Sequence, residues 1–141
     1  YGAGDYCIVP LSQTTNTIVN RYFGPAENTS NPISISGTSS PAVGATIFKY
    51  GTTSGWARLR LEATNVSFYN GVKTLTGMTK ASIIDGTSKP GDSGGPYFTY
   101  NTSTSKWYIA GIHAASNNPT GGTTTYFTPI SKINSNFRFL Y

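Results

Sequence analysis

Short β-type runs, each cut off by glycine, proline or asparagine, recur along this whole chain and constrain its fold more than any other feature. They fall at Tyr6–Leu11, Ile33–Ile35, Val43–Tyr50, Trp56–Thr64, Val72–Thr79, Tyr97–Tyr100, Trp107–Ala114 and Thr124–Pro129. β-branched and aromatic side chains suit a pleated, half-buried surface, and the intervening residues suit turns. Many short strands at this spacing predict an all-β sandwich or closed barrel. With 16 Gly, 8 Pro and roughly a third of the chain Ser, Thr or Asn, helix formers are scarce. Only the tail, Ile130 to Asn136, has apolar spacing suited to a short helix. Gln13 to Ser40 has little periodicity and reads as a long surface connection, with a strand before it and a β-core after it.

A length of 141 residues bounds the chain to one domain, and 13% aromatic residues is too many for a disordered one. No apolar run is long enough to span a bilayer, and the opening Tyr1-Gly2-Ala3-Gly4-Asp5 lacks the pattern of a signal peptide. The expectation is a soluble, secreted protein whose leader has been removed, without a membrane partner. The net charge of +5 comes from scattered Lys and Arg residues with no basic run beyond Arg58-Leu59-Arg60, so no nucleic-acid partner is expected. Three glycosylation sequons, at Asn28, Asn65 and Asn101, only permit secretion, because about three arise by chance in such a composition. The single cysteine, Cys7, reads as a buried thiol or a bridge to another chain. One His and one Cys far apart make no metal-ligand set, so neither a metal nor a cofactor is expected.

One stretch carries chemistry: Lys89-Pro90-Gly91-Asp92-Ser93-Gly94-Gly95-Pro96. Its glycines permit a tight turn on which a serine hydroxyl and successive backbone N–H groups face one space. Acyl transfer needs that pairing of a nucleophile with donors for a developing oxyanion. Gly-Ser-Gly alone would be an ordinary loop; the hexapeptide Gly-Asp-Ser-Gly-Gly-Pro is far more specific.

With this hexapeptide the chain resembles the chymotrypsin-like serine proteases, in which it surrounds the nucleophile. Other segments agree in order and spacing. Gly4-Asp5-Tyr6-Cys7-Ile8-Val9 looks like the strand of the catalytic aspartate in the streptogrisin-like branch. Val43-Gly44-Ala45 with Gly51-Thr52-Thr53-Ser54-Gly55 is similar to the start of that branch's second barrel. Ile109-Ala110-Gly111-Ile112-His113 and the stretch from Gly121 to Ile130 resemble the specificity-pocket strand and the strand leading to the C-terminal helix. The implied fold is an antiparallel Greek-key β-barrel: residues 1–40 would finish the first barrel and link the two, and residues 41–141 would form the second barrel with a short C-terminal helix.

The resemblance makes Ser93 the nucleophile, Asp5 the carboxylate that orients a histidine base, and the N–H groups of Gly91 and Ser93 the oxyanion hole. It makes Asp92 a buried structural carboxylate in need of a cation, for which Lys49 is the candidate. The base itself is missing: the family carries its histidine upstream of the aspartate, and this chain has none before Asp5. The expected explanation is a heterodimer with an N-terminal protease fragment that supplies the histidine; an incomplete chain and an inactive half-protease are the other two. A catalytically dead peptide-binding module is the alternative function, although it has no chemical need for Asp5, Gly91 and Ser93 together.

The only histidine, His113, is by default a hydrogen-bonded scaffold residue. Yet Gly111-Ile112-His113 looks like the triplet of glutamyl endopeptidases and of viral proteases that cut after Glu or Gln. That resemblance implies an endopeptidase preferring Glu, or Gln, before the scissile bond of protein and peptide substrates. Hydroxyls to assist the imidazole are available at Ser116 and at Thr87 or Ser88, and the small Ala114 and Ala115 leave room for the substrate backbone. The typical glutamyl endopeptidases differ from Gly94-Gly95-Pro96 after the serine, so this assignment rests on one triplet and one serine.

Overall fold

The computed structural model describes residues 21–22, 33–117 and 123–133. The strands are β1 (Arg21–Tyr22), β2 (Ile33–Thr38), β3 (Thr46–Gly51), β4 (Gly55–Tyr69), β5 (Thr74–Asp85), β6 (Pro96–Asn101), β7 (Lys106–Ser116) and β8 (Thr124–Pro129). Six of them close a ring, β3-β4-β5-β8-β7-β6 and back to β3, through antiparallel pairings alone. Closure gives each of the six strands a partner on both sides, so that only stretches beyond the ladders keep an open edge.

Alternation along the strands fills the barrel. In β4 the residues Ala57, Leu59 and Leu61 are buried while Arg58, Arg60 and Glu62 face solvent, the two-residue period of a half-buried strand. They meet Ile47, Ala81, Tyr97, Ala110 and Phe127 in one core. On the opposite face of β3 and β4, Phe48, Tyr50 and Trp56 join Phe98 and Trp107 in an edge-packed aromatic cluster.

The ring order places β6 beside β3, with β3, β4 and β5 running consecutively, which is a Greek key. Its return connection, residues 86–95 between β5 and β6, contains the Gly-rich motif. The topology therefore delivers Ser93 to one rim of the barrel next to β7.

Two features depart from the sequence expectation. Strand β2 pairs in parallel with the first half of β7, with Ile35 opposite Trp107 and Thr38 opposite Ile109. That side of β7 is open because the β7–β8 ladder ends at Gly111 opposite Pro129, and proline has no N–H to extend it. The expected C-terminal helix is a 3₁₀ turn at Ile130–Lys132. Pro129 before it and Ile133 after it are extended, and no side chain caps its start, so helix does not propagate. Residues 134–136 of that expectation, and the expected strand at Tyr6–Leu11, lie outside the described residues.

Candidate active site

Lys89-Pro90-Gly91-Asp92 forms a type II turn: the Asp92 N–H donates to the Lys89 carbonyl (3.2 Å) and Gly91 sits at φ +97°. Proline suits the second position of such a turn, and the positive φ requires glycine at the third. A second turn follows at once, closed by Gly95 N–H to the Asp92 carbonyl at 3.0 Å. Two backbone bonds then stitch the loop to β7, Gly94 N–H to the His113 carbonyl (2.9 Å) and His113 N–H to the Gly95 carbonyl (2.8 Å). Ser93 is thereby held exposed at the rim, its Oγ donating to the Ala114 carbonyl at 3.3 Å. Among the described residues neither the Gly91 N–H nor the Ser93 N–H is paired, so two donors beside the hydroxyl are free.

Asp92 anchors this loop from beneath. It is 1% exposed and accepts five hydrogen bonds: from Lys49 Nζ (2.8 Å), Ser54 Oγ, and the backbone N–H groups of Thr53 (3.1 Å), Ser54 (3.0 Å) and Lys89 (2.9 Å). Lys49 is itself buried inside β3 and also donates to Ser54 Oγ at 2.9 Å. The carboxylate lies against Gly51, where any Cβ would collide with it. Burial pushes the Asp92 carboxyl up, but the bonds from Lys49, Ser54 and Lys89, with the Lys49 charge, outweigh burial and hold it well below the usual carboxylate range.

His113, on β7, is 4% exposed, and both its ring nitrogens have partners. Nε2 lies 3.3 Å from Ser88 Oγ, and Nδ1 lies 3.1 Å from the Tyr97 hydroxyl. Burial, aided by the Lys49 charge and opposed by that of Asp92, lowers the imidazole to about 4, so it is neutral at pH 7. The Tyr97 hydroxyl donates on to Thr125 Oγ1 at 2.8 Å.

The structure thus brings Ser93 together with Ala114, Asp92 with Lys49, and His113 with Ser88. Thr87 lies half-buried beside Ser88, and Ser116 half-buried at the end of β7 opposite Thr125. Asp5 and Cys7 lie outside the described residues. Among the described residues no imidazole or carboxylate contacts the Ser93 hydroxyl, and His113 is engaged elsewhere. Tyr97, Thr125 and Ser54 were not legible as site residues. Each belongs to a run that reads as strand or turn, and only the closed ring brings it to His113 or Asp92. Among the described residues no cluster of three His, Cys, Asp or Glu side chains could hold a metal, and no helix is long and apolar enough to cross a membrane. A cavity of about 250 Å³, lined in part by Leu61, Gly77, Phe127 and Lys132, has neither Ser93 nor His113 in its lining.

A closed antiparallel barrel with an exposed serine and two free N–H donors on its Greek-key connection defines a class, the barrel-type serine hydrolases. The model of the peptidase S6 family, immunoglobulin A1 protease, matches residues 18–133. Streptogrisin-C of Streptomyces griseus is 32% identical over 101 residues, 72% of this chain and 20% of that protein. The chain belongs to the chymotrypsin-like serine proteases. Among solved structures, a Nocardiopsis protease matches with a TM-score of 0.66 at 23% identity, over 84% of this chain and 57% of its own. A glutamic-acid-specific serine protease that uses a histidine triad in substrate binding matches at 0.65 and 21% identity, over 83% of this chain and 57% of its own. The chain thus spans a fifth of streptogrisin-C and somewhat over half of these structural relatives.

Proposed function

We propose that this chain is the nucleophile-bearing part of a secreted serine endopeptidase that cuts after Glu, or Gln, by acyl-enzyme chemistry. Ser93 attacks the scissile carbonyl, the Gly91 and Ser93 N–H groups receive the oxyanion, and Asp5 orients a histidine on an N-terminal segment outside these 141 residues, held as a separate bound fragment. The observation that carries the reading is the exposed Ser93 on a loop fixed by the Lys49–Asp92 ion pair and flanked by two unpaired donors. Such donors stabilise charge that develops only in the transition state.

The side-chain preference is supported by His113, with Ser88 beside it, on the strand that accepts the Ser93 hydroxyl. Among the described residues this surrounding offers hydrogen-bonding groups and no carboxylate to select a cationic side chain. The likeness to a glutamic-acid-specific protease points the same way. The test is a peptide library cleaved by the full-length protein. Cleavage after Glu and Gln is expected, and cleavage after aromatic or basic residues would overturn the preference.

A further inference from the structure

Strand β2 has no part in the site above, yet its parallel pairing with β7 builds a second concavity. A groove of about 450 Å³ is lined by Thr38 and Ser39 from the end of β2, and by Tyr108 from β7. The remaining lining, Thr99 to Thr102, comes from β6 and the turn after it. The groove is remote from the nucleophile. Along extended β7, Tyr108 and Ala114, whose carbonyl receives the Ser93 hydroxyl, are separated by roughly 20 Å.

Every side chain lining this groove carries a hydroxyl or a carboxamide, and none is charged. Lys106, opposite Asn101 in the β6–β7 ladder, is exposed and outside the lining. An ionic ligand finds no counter-charge here, and a purely apolar one would strip water from hydroxyls without replacing its hydrogen bonds. A sugar meets both demands. Its hydroxyls donate and accept, as neutral O–H and amide partners require, and its C–H face can lie on the Tyr100 or Tyr108 ring.

The groove is also held in shape. Ser39 Oγ and Thr99 Oγ1 share a hydrogen bond of 2.6 Å, and the Ser39 N–H donates to the Ile109 carbonyl at 2.8 Å, tying the end of β2 to β6 and β7. The Tyr108 ring lies against Gly37, where a Cβ would come within 3.3 Å of it. The Tyr100 ring rests on Trp107, with centroids 4.9 Å apart. Asn101 Oδ1 accepts from the N–H groups of Ser103 (3.0 Å) and Thr104 (3.2 Å), which fixes the carboxamide. Among the described residues its NH₂ has no partner. Rings and amide that are already ordered lose little freedom when a ligand arrives.

We propose that this groove binds a neutral oligosaccharide, with Tyr108 and Tyr100 as ring platforms and Asn101 and Thr102 as hydrogen-bonding partners. The proposal uses no residue of the serine site and does not rest on the peptidase reading. Occupancy leaves the Ser93 rim open, so the groove anchors the protein to glycan-bearing material and takes no part in the chemistry.

The test is a ¹H–¹⁵N correlation titration of the full-length protein with cellohexaose, xylohexaose, mannohexaose and N-acetylchitohexaose in turn, each to about 10 mM. Hexagalacturonate serves as the anionic comparison. Saturable shifts of the Asn101 side-chain NH₂ and of the Thr99–Thr102 amides are expected with at least one neutral sugar. Tyr108→Ala and Thr102→Val should each weaken that binding about three- to tenfold. Thr102 is exposed, so its variant tests the groove even if loss of the Tyr108 ring loosens β2. No saturable shift with any neutral sugar, shifts confined to other residues, or tighter binding of hexagalacturonate would overturn the proposal, as would unchanged affinity in both folded variants. Asn101 also opens a glycosylation sequon. A glycan found on its side-chain nitrogen by peptide mapping of the natively produced protein would consume the donor and overturn the proposal as well.

Discussion

Lys49 and Asp92 form a buried ion pair under the serine loop. Both side chains are about fully buried, and the carboxylate is met by five donors. Removing one partner of a buried pair leaves an uncompensated charge, which costs more than the pair itself contributes. Lys49→Ala should therefore lower unfolding free energy by about 3–5 kcal/mol, measured by chemical denaturation, and release the serine loop. Unchanged stability and activity would remove Lys49 from this role. His113 makes a second, pH-dependent contribution. Its folded value of about 4 lies below the unfolded 6.5, so between those limits the unfolded chain binds the extra proton. The stability it confers is complete above pH 6.5 and is lost as pH falls toward 4, on the order of 3 kcal/mol in all. Denaturation curves across that window should show the loss in the wild type and its absence in His113→Gln. Asp92 has the opposite acid–base character and the same sign. Its depressed folded value keeps its contribution intact above the unfolded carboxylate range, and only stronger acid removes it.

In the proposed enzyme the nucleophile sits on the β5–β6 connection, whose conformation depends on Gly91. With φ at +97° and the Thr53 hydroxyl where a Cβ would sit, any other residue must distort the turn. Gly91→Ala should leave the barrel folded and cut kcat by about 10²–10³-fold, with a smaller change in KM, because an oxyanion donor acts in the transition state. Steady-state kinetics on a peptide substrate checks this; an equal loss in KM alone would place the effect on ground-state binding. The element scale also shows what the sequence could reveal. The hexapeptide was readable because Gly91 and Gly94 meet local demands of consecutive turns at positive φ, whereas the distant partners of Asp92, Lys49 and Ser54, are fixed by the barrel. The β4 alternation was readable too, yet the strands run to Tyr69 and to Asp85, past the expected ends at Thr64 and Thr79. Register shifts and a positive-φ Gly77 let the β4–β5 pairing continue where periodicity fades. The described part of the expected Ile130–Asn136 helix is a single 3₁₀ turn, because apolar spacing alone does not extend a helix without caps.

At the scale of the whole molecule, the ring of β3 to β8 explains why the chemistry could be only half read. Closure sets Tyr97 and Thr125, on β6 and β8, behind a histidine on β7, and sets Ser54 from the β3–β4 turn under Asp92. These contacts span up to 38 residues of chain and have no local signature. The β2–β7 pairing was equally invisible, since it depends on where Pro129 ends a neighbouring ladder. The ring presents an exposed serine beside two N–H groups and a buried, hydrogen-bonded histidine. In the proposed enzyme the base comes from outside the chain, so activity belongs to the assembled protein. The most direct test is intact mass and peptide mapping after treatment with a fluorophosphonate, on the full-length protein together with the proposed histidine-bearing N-terminal segment. One adduct on Ser93, absent in Ser93→Ala, is the predicted result; a folded, complete protein that takes up no adduct, or takes it elsewhere, would contradict Ser93 as the nucleophile.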